Sequence, residues 1–297
     1  MTIRKLVALG SAAALTLTLS ACGDDSDSAS ETIVVGSAAF AENEIIAEIY
    51  AQALEAEGIT VTKKLNIGAR EAYLPALENG EIDLIPEYSG NLLGYLDPDA
   101  TATAPDEIEE ALDDALPEKL DLLDFSAAED KDSLNVTAEF AKKNDLTTIA
   151  DLADLDGLRL AANPEFSERP YGIPGLEKVY GITGIKFTAI SDGGGPATLK
   201  ALLDGDVDVA DIYSTTPSIV DNDLVTLGDP KNLIAAQNVV PLISDEKASD
   251  KVEDVLNAVS AALTTDDLLE LNGRNQGDEK AAPATLAKDW LKDKGLI

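Results

Sequence analysis

Two tyrosines, Tyr88 and Tyr213, follow two copies of one motif. The copies run over residues 76–89 and 201–214, offset by 125 positions (213 minus 88), and each has a glycine and an apolar strand before Tyr-Ser. Ligands of open parallel sheets lie beyond the carboxyl ends of the strands, so the two rings are expected to face each other across a cleft. Aromatic faces there could hold a cation, above all a quaternary ammonium. The alternative is that both rings only pack.

Three loop features could hold the anionic part of such a solute. Residues 89–91 follow Tyr88 where a helix should begin, and free N–H groups at a helix start attract anions. The glycines 193–195 offer a second turn of this kind. Arg169, in the loop 166–172, is one of only 22 basic residues and could clamp a carboxylate with two hydrogen bonds. Each feature could equally be an ordinary turn or surface residue.

The composition removes most catalytic chemistry. The 297 residues include no histidine and one cysteine, so Ser-His pairs, Cys-His pairs and His-rich metal sites cannot form. Acidic residues number 56 against 22 basic ones, a formal net charge of −34, which excludes a basic surface for nucleic acid. Hydrophobic residues make up 45% of the chain, which is enough to build an ordinary core.

The N-terminal sequence predicts export and a lipid anchor. Two basic residues precede an apolar run, residues 6–19, which is short for a membrane span and typical of a secretory signal. Residues 19–22, Leu-Ser-Ala-Cys, resemble the lipobox of bacterial lipoproteins, in which the cysteine becomes the lipidated first residue. We therefore expect a signal peptide over 1–21, lipidation of Cys22, and an acidic, serine-rich tether over 22–30.

Short strands and helices alternate along the rest of the chain. Apolar runs predict strands at 32–36, 59–62 and 82–85. Helical spacing, with Thr137 and Ser249 as caps, predicts helices at 42–55, 69–77, 106–116, 137–143, 147–155, 249–263 and 282–292. This alternation is typical of an α/β protein whose mostly parallel sheet is flanked by helices. With roughly 270 ordered residues, two lobes are expected rather than one core.

A set of ordered motifs resembles a known family. The motifs are Val35–Asn43, Leu65–Glu71, Pro86–Asn91, Gly172–Leu176, Asp208–Thr215, Asp229–Leu233 and Asn238–Leu242. Together they resemble the osmoprotectant-type substrate-binding proteins of ABC importers, which bind glycine betaine, choline, carnitine and related compounds. The resemblance covers essentially everything after the tether. It implies a two-lobed type II periplasmic-binding-protein fold, in which each lobe is a mostly parallel sheet flanked by helices and the ligand lies between the lobes.

The resemblance also implies the division into lobes and the partners. Residues 31–130 plus 238–297 would form lobe I and residues 131–237 lobe II, with hinges near 126–133 and 235–240. No catalytic residue, metal or cofactor is implied. The expected partners are a small solute, an ABC permease with its ATPase, and the membrane, which a monomer would reach through its lipid; nucleic acid is not expected.

Carried over residue by residue, the resemblance gives a mixed binding site. Tyr88 and Tyr213 match two aromatic cage positions, and Arg169 matches an arginine that holds a carboxylate. Ala38 stands where betaine binders often have a lysine, which removes one carboxylate contact. Asn91 stands at a small hydroxyl position and could still donate a hydrogen bond.

Two further cage positions have no ring in this chain. The third cage tyrosine of the family corresponds to a position near Asp132 or Ser133, and the fourth corresponds to Gln237. Ser89 completes the predicted set of ligand-binding residues. Losing two rings should weaken a quaternary-ammonium site by about 1 kcal/mol per ring. A carboxylate at Asp132 could offset part of that loss by pairing with the cation. The solute is therefore expected to be a zwitterion or a cation.

Three functions are compatible with these observations. The first, which we favour, is a membrane-tethered receptor that closes over a small zwitterionic or cationic solute and hands it to a permease. The second is a secreted carboxylate-based hydrolase with Glu87 as its acid, for which no partner carboxylate stands out. The third is a ligand-sensing lipoprotein of a signalling system.

Overall fold

The computed structural model describes residues 32–297, which form two five-stranded sheets with helices around them. The predicted signal peptide, Cys22 and the tether lie outside the described residues. Within the described range, no helix combines the length and the apolar character that crossing a bilayer requires.

Ten strands make up the two sheets. They are β1 (Ile33–Gly36), β2 (Val61–Lys64), β3 (Leu84–Tyr88), β4 (Leu120–Leu122), β5 (Leu134–Thr137), β6 (Arg159–Ala162), β7 (Lys186–Ala189), β8 (Val209–Asp211), β9 (Leu224–Thr226) and β10 (Val239–Ser244). The first sheet has the order β2-β1-β3-β10-β4 and the second the order β7-β6-β8-β5-β9. In each sheet the fourth strand is antiparallel to both its neighbours, so four strands point one way and one is reversed.

Eleven α-helices are described within residues 32–297; six of them lie within one residue of a predicted helix, whereas residues 173–175, 218–221 and 265–276 form helices that the sequence analysis did not predict. The eleven helices are α1 (Ala41–Ala56), α2 (Arg70–Glu78), α3 (Ser89–Leu96), α4 (Pro105–Ala115), α5 (Ala138–Asn144), α6 (Ile173–Gly175), α7 (Pro196–Leu203), α8 (Ser218–Asp221), α9 (Asp250–Ala262), α10 (Thr265–Gln276) and α11 (Pro283–Asp293). Thr137 caps α5 as predicted, because its hydroxyl accepts the Phe140 N–H at 3.2 Å. Ser249 precedes α9, but its side chain makes no capping bond.

Two predicted elements need correction. The helix predicted over 147–155 is a short 3₁₀ helix, Ile149–Asp154, in which the Asp151 carboxylate accepts the N–H groups of residues 147 and 148. Such tight turns are common in short connections. The strand predicted at 82–85 begins at Leu84, because the Asp83 side chain turns back to accept the N–H of Val34 on the neighbouring strand at 2.8 Å.

The sequence repeat is a structural repeat. The range of β2, moved by 125 positions, coincides with that of β7, and β3 moved in the same way overlaps β8. A side-chain contact is repeated as well: Asp83 accepts the Val34 N–H at 2.8 Å, and Asp208, 125 positions later (208 minus 83), accepts the Arg159 N–H at 3.0 Å. The predicted repeat is therefore confirmed.

Helices cover both faces of the first sheet. One face packs against α1, α9, α10 and α11, where Ile45, Ile46 and Ile49 are fully buried. The opposite face packs against α2, α3 and α4. Burying one such isoleucine side chain contributes about 1.5–3 kcal/mol to the free energy of unfolding. This packing therefore stabilises the end of the sheet at which α1 and α3 begin.

Two chain segments connect the sheets. They are residues 123–133, between β4 and β5, and residues 227–238, between β9 and β10. The segments run side by side in opposite directions, with a bridge between Glu129 and Asn238 and a hydrogen bond of 3.2 Å from the Asp130 N–H to the Gln237 carbonyl. Both therefore lie next to the space between the two sheets.

Candidate functional site

A cavity of about 210 Å³ lies where elements of the two sheets meet. The lining residues that fall between positions 38 and 91 come from the side of the first sheet, and those that fall between positions 130 and 213 come from the connecting segment and the second sheet. Six of the eight predicted ligand-binding residues line this cavity: Ala38, Tyr88, Asn91, Asp132, Arg169 and Tyr213. Residues from distant parts of the chain thus reach one site.

Ser89 and Gln237 do not line the cavity and instead support it from behind. The Gln237 side-chain amide donates to Asn91 Oδ1 at 2.7 Å, and its oxygen accepts the Asn91 N–H at 2.9 Å. The Ser89 hydroxyl accepts the Asn238 N–H at 3.1 Å. Gln237 therefore orients Asn91 at the cavity wall, and Ser89 binds the second connecting segment, residues 227–238 (the returning segment), to the start of α3.

The predicted anion site at the start of α3 is wrong. The N–H groups of Ser89 and Gly90 donate to the carbonyls of Asn238 and Ala236, and the Asn91 N–H is taken by Gln237. The returning segment can approach this closely because residue 90 is a glycine, where an added Cβ would lie 2.4 Å from the Ala236 carbonyl oxygen.

The glycine turn at 193–195 is occupied in a similar way. The Asp192 carboxylate accepts the N–H groups of Gly195, Ala197 and Thr198 at 3.1, 2.7 and 3.1 Å, and thereby caps α7. The Gly193 N–H donates to Asn163 Oδ1 at 3.1 Å. The protein's own side chains therefore hold most of the backbone donors that this turn could offer to an anion.

A phenylalanine joins the two predicted tyrosines. The Phe40 ring centroid lies 5.8 Å from that of Tyr88 and 5.4 Å from that of Tyr213, and all three rings line the cavity. Tyr73, Phe166 and Tyr171 add three more rings to the lining. The sequence analysis missed Phe40 because it has no counterpart in the repeat; its place just after β1, at the carboxyl end of a strand, was the available signal.

The two tyrosine hydroxyls have different partners. The Tyr88 hydroxyl donates to Glu42 Oε1 at 2.8 Å, whereas the Tyr213 hydroxyl accepts the Asn163 amide at 2.8 Å. Burial, together with the Glu42 carboxylate, raises the pKa of Tyr88 well above its ordinary value. Burial, together with Asp132, does the same to the pKa of Tyr213. Both rings are therefore neutral and keep their π faces at physiological pH.

The two arginines of the cavity already have carboxylate partners. Arg70 donates two hydrogen bonds to Glu87, at 2.8 and 2.7 Å, in a fully buried pair. Arg169, predicted to hold a ligand carboxylate, lies with Nη2 2.8 Å from Glu71 Oε1 and its guanidinium 5.4 Å from the Tyr95 ring centroid. Arg169 does line the cavity, but it reaches α2 and α3 of the first sheet as well.

Glu87 cannot serve as the acid of a hydrolase. Its side chain is fully buried, accepts from Arg70 and from the Tyr73 hydroxyl, and is absent from the cavity lining. Its oxygens are therefore held by a structural ion pair rather than presented to a substrate.

Three buried aspartates line the cavity. Asp130, Asp132 and Asp211 are each at most 8% exposed. Asp132 accepts the Asn91 side-chain amide at 2.9 Å, and Asp211 accepts the Ser133 N–H at 3.1 Å. Burial and then neighbouring carboxylates raise the pKa of Asp130 and of Asp211 well above the ordinary range. A cation placed among these carboxylates would relieve their desolvation and mutual repulsion.

Side-chain contacts also join the two sheets beside the cavity. Glu42, at the start of α1, accepts the Thr215 hydroxyl at 2.5 Å and the Asn272 amide at 2.6 Å. Asn272 contacts the Thr215 carbonyl as well, at 3.2 Å. Across residues 32–297 no group of three or more acidic, histidine or cysteine side chains is arranged to hold a metal ion. The site is an aromatic and acidic cleft between the two sheets.

A family model described as the substrate binding domain of ABC-type glycine betaine transport systems matches residues 31–293. The chain belongs to this family. As a member it is the extracytoplasmic solute-binding component of an ABC importer and is not an enzyme, so neither the hydrolase nor the signalling interpretation fits.

Curated relatives and solved structures agree with this assignment. The chain is 28% identical over 281 residues to the glycine betaine-binding protein YehZ of Escherichia coli, covering 90% of this chain and 92% of that protein. It is 26% identical to a glycine-betaine-binding protein of Pseudomonas aeruginosa, covering 90% and 89%.

The structural comparison concerns the fold. The crystal structure of a glycine betaine/carnitine/choline ABC transporter superposes with a TM-score of 0.69 at 24% identity, covering 89% of this chain and 99% of that chain. The predicted two-lobed periplasmic-binding-protein fold, with mostly parallel sheets, is thus confirmed.

Proposed function

We propose that this substrate-binding protein captures a small zwitterionic or cationic solute, of the glycine betaine and choline kind, in the cavity between its sheets. One observation carries the proposal: Tyr88 and Tyr213, from equivalent positions of the repeat, meet in one cavity with Phe40 between them. Aromatic faces that surround a desolvated cation contribute up to about 2 kcal/mol each. The names of the two bacterial relatives support the same class of solute.

Capture occurs by closure of two lobes, residues 31–130 plus 238–297 and residues 131–237. The proposed hinges, 126–133 and 235–240, overlap the two antiparallel connecting segments. Pairs such as Glu42 with Thr215 and Glu71 with Arg169 then form across the cleft. A solute that contacts both lobes favours the closed population, and the permease recognises that closed form.

The binding residues in this proposal are Tyr88, Tyr213, Arg169, Asn91, Asp132 and Ala38, with Ser89 and Gln237 acting from behind. Export through a signal peptide over 1–21, a lipid on Cys22, the tether 22–30 and a monomeric state complete it. Radiolabelled fatty acid incorporated by the wild-type chain but not by Cys22→Ser would support the anchor; equal labelling of the two would refute it.

Titration calorimetry on the full-length protein in non-ionic detergent tests the solute class. Glycine betaine, choline, carnitine and proline betaine are compared with an uncharged polyol. We expect at least one quaternary ammonium to bind, and Tyr213→Leu, which keeps an apolar side chain without a π face, to weaken it by about tenfold. Tyr180→Phe, outside the cavity, is the matched control. Absence of binding by folded protein would refute this solute class.

A further inference from the structure

The charge of the cavity lining does not match a zwitterion. The charged lining groups are the carboxylates of Asp130, Asp132, Glu165 and Asp211 and the guanidinium groups of Arg70 and Arg169. Four carboxyl groups thus face two guanidinium groups. A solute that brings a positive charge is favoured here, and one that also brings a carboxylate meets like charges in a desolvated space, where they interact strongly.

Each of the two arginines already contacts a carboxylate of the protein. Arg70 donates from Nε and Nη2 to the Glu87 carboxylate, within the first lobe, so these two donors are already used. Arg169, at 8% exposure, lies 2.8 Å from Glu71 Oε1. Glu71 is itself half exposed and belongs to α2, on the other side of the cleft from Arg169. Glu71 therefore occupies the kind of contact that a ligand carboxylate would make with Arg169.

The backbone donors of the two turns at residues 89–91 and 193–195 do not replace the arginines. The N–H groups of residues 89–91 are bonded to the returning segment, and those of Gly193 and Gly195 are bonded to Asn163 and Asp192. At these two turns an incoming carboxylate would have to displace a contact that the folded chain already makes. A hydroxyl group has no such requirement, since it is neutral and can donate to an aspartate oxygen.

Resting on the function proposed above, we propose that the cavity selects a net cation without a carboxylate, and that Glu71 sets this preference by occupying Arg169 in place of a ligand carboxylate. Asp132 and Asp211 neutralise the bound cation, and the aromatic rings surround its alkyl groups. Glu71 is a positioning residue in this scheme, because it acts through Arg169 rather than on the solute.

Choline and glycine betaine form a matched pair for the test, because they share the trimethylammonium group and differ in a hydroxyl against a carboxylate. Calorimetry on the full-length protein is expected to give choline an affinity on the order of tenfold higher than that of glycine betaine. Equal affinities, or a preference for glycine betaine, would overturn the inference and leave the proposed function standing.

Two variants on one helix isolate the role of Glu71. Glu71→Gln should raise the affinity for glycine betaine several-fold relative to that for choline, because Arg169 becomes available. Glu78→Gln removes the same charge from the exposed end of α2 and should change neither affinity. Identical results for the two variants would overturn the assignment to Glu71.

A third variant tests the cationic half of the inference. Asp132→Asn keeps an oxygen that can accept the Asn91 amide and removes the charge. The variant should lower the affinity for choline by about tenfold and the affinity for glycine betaine by less. Equal weakening of both solutes would contradict the charge argument. If circular dichroism shows folded protein and neither solute binds at all, the proposed function fails, and this inference fails with it.

Discussion

The two halves of the repeat build the same backbone and place a buried carboxylate beside each tyrosine in different ways. The first half has Pro86 and Glu87 before Tyr88, and the second has Asp211 and Ile212 before Tyr213. Glu87 is fully buried and paired with Arg70. Asp211 is 2% exposed, accepts the Ser133 N–H, lines the cavity, and among residues 32–297 has no basic partner.

The difference separates a structural carboxylate from one available to a solute. Arg70 corresponds by the offset of 125 to Gly195, so the second half could not build the same ion pair. At the position equivalent to Glu87 the second half has Ile212, which is fully buried in an apolar cluster. The repeat thus determines where the tyrosines stand, while the neighbouring side chains decide which half presents a carboxylate to the cleft.

Removing the arginine of the buried pair should have the largest effect. Arg70→Ala leaves Glu87 buried without a counter-charge, which costs about 3–5 kcal/mol of unfolding free energy. Urea unfolding followed by circular dichroism measures the loss. Arg159→Ala, in the second half, breaks a half-exposed pair with Asp208 and should cost at most about 1 kcal/mol. Similar losses in both variants would contradict the distinction between the halves.

The two tyrosine hydroxyls should differ in their contribution to stability. Tyr88→Phe removes a donor from the Glu42 carboxylate and should cost about 1.5–3 kcal/mol, since hydrogen bonds to charged groups are the stronger ones. Tyr213→Phe removes a neutral hydrogen bond from Asn163 and should cost about 1 kcal/mol. Unfolding curves of the two variants test this order, and a larger loss for Tyr213→Phe would reverse it.

Two aspartates of the second half should respond to pH with opposite signs. Burial and then Asp132 raise the folded pKa of Asp211, so its unfavourable ionisation lowers stability as pH rises above the unfolded value near 3.8. Burial alone would raise the pKa of Asp208, but the hydrogen bonds from Arg159 outweigh burial and lower that pKa. The stabilisation that the Asp208 carboxylate contributes is therefore present above the unfolded value near 3.8 and is lost on acidification.

Substitution by asparagine turns this contrast into a measurement. Asp211→Asn should raise the melting temperature at pH 7, and Asp208→Asn should lower it, with both differences shrinking as the pH falls toward 3.5. Melting temperatures recorded at pH 3.5, 5 and 7 provide the comparison. Two variants that shift in the same direction at pH 7 would show that the two carboxylates do not differ in this way.

Equivalent glycines should give the smallest and most similar effects. Gly80 and Gly205 precede β3 and β8 with φ of 71° and 74°, and neither has an atom within 4 Å of an added Cβ. Alanine at either position should therefore cost about 1 kcal/mol, from the left-handed backbone alone. Thermal unfolding of Gly80→Ala and Gly205→Ala checks this, and a clear difference between the variants would show that the turns are not equivalent.

Local sequence patterns determined most of the fold. The helices over residues 41–56 and 283–293 end within one or two positions of their predicted limits, because hydrophobic spacing and turn residues act over a few neighbours. The motif shared by residues 76–89 and 201–214 was enough to place the two tyrosines at equivalent strand ends. The ordered motifs along the chain were enough to indicate the family.

Tertiary structure alone decided the chemistry of the cleft. From the local sequence the Asn91 N–H was expected to be available to a ligand at the start of a helix. In the structure it donates to the side chain of Gln237, which lies 146 positions away in the chain. Arg169 meets Glu71, and Phe40 comes between two rings from opposite halves of the repeat. No local pattern encodes these pairs, because they depend on how the returning segment and the second lobe pack against the first, and that packing decides which charges remain for a solute.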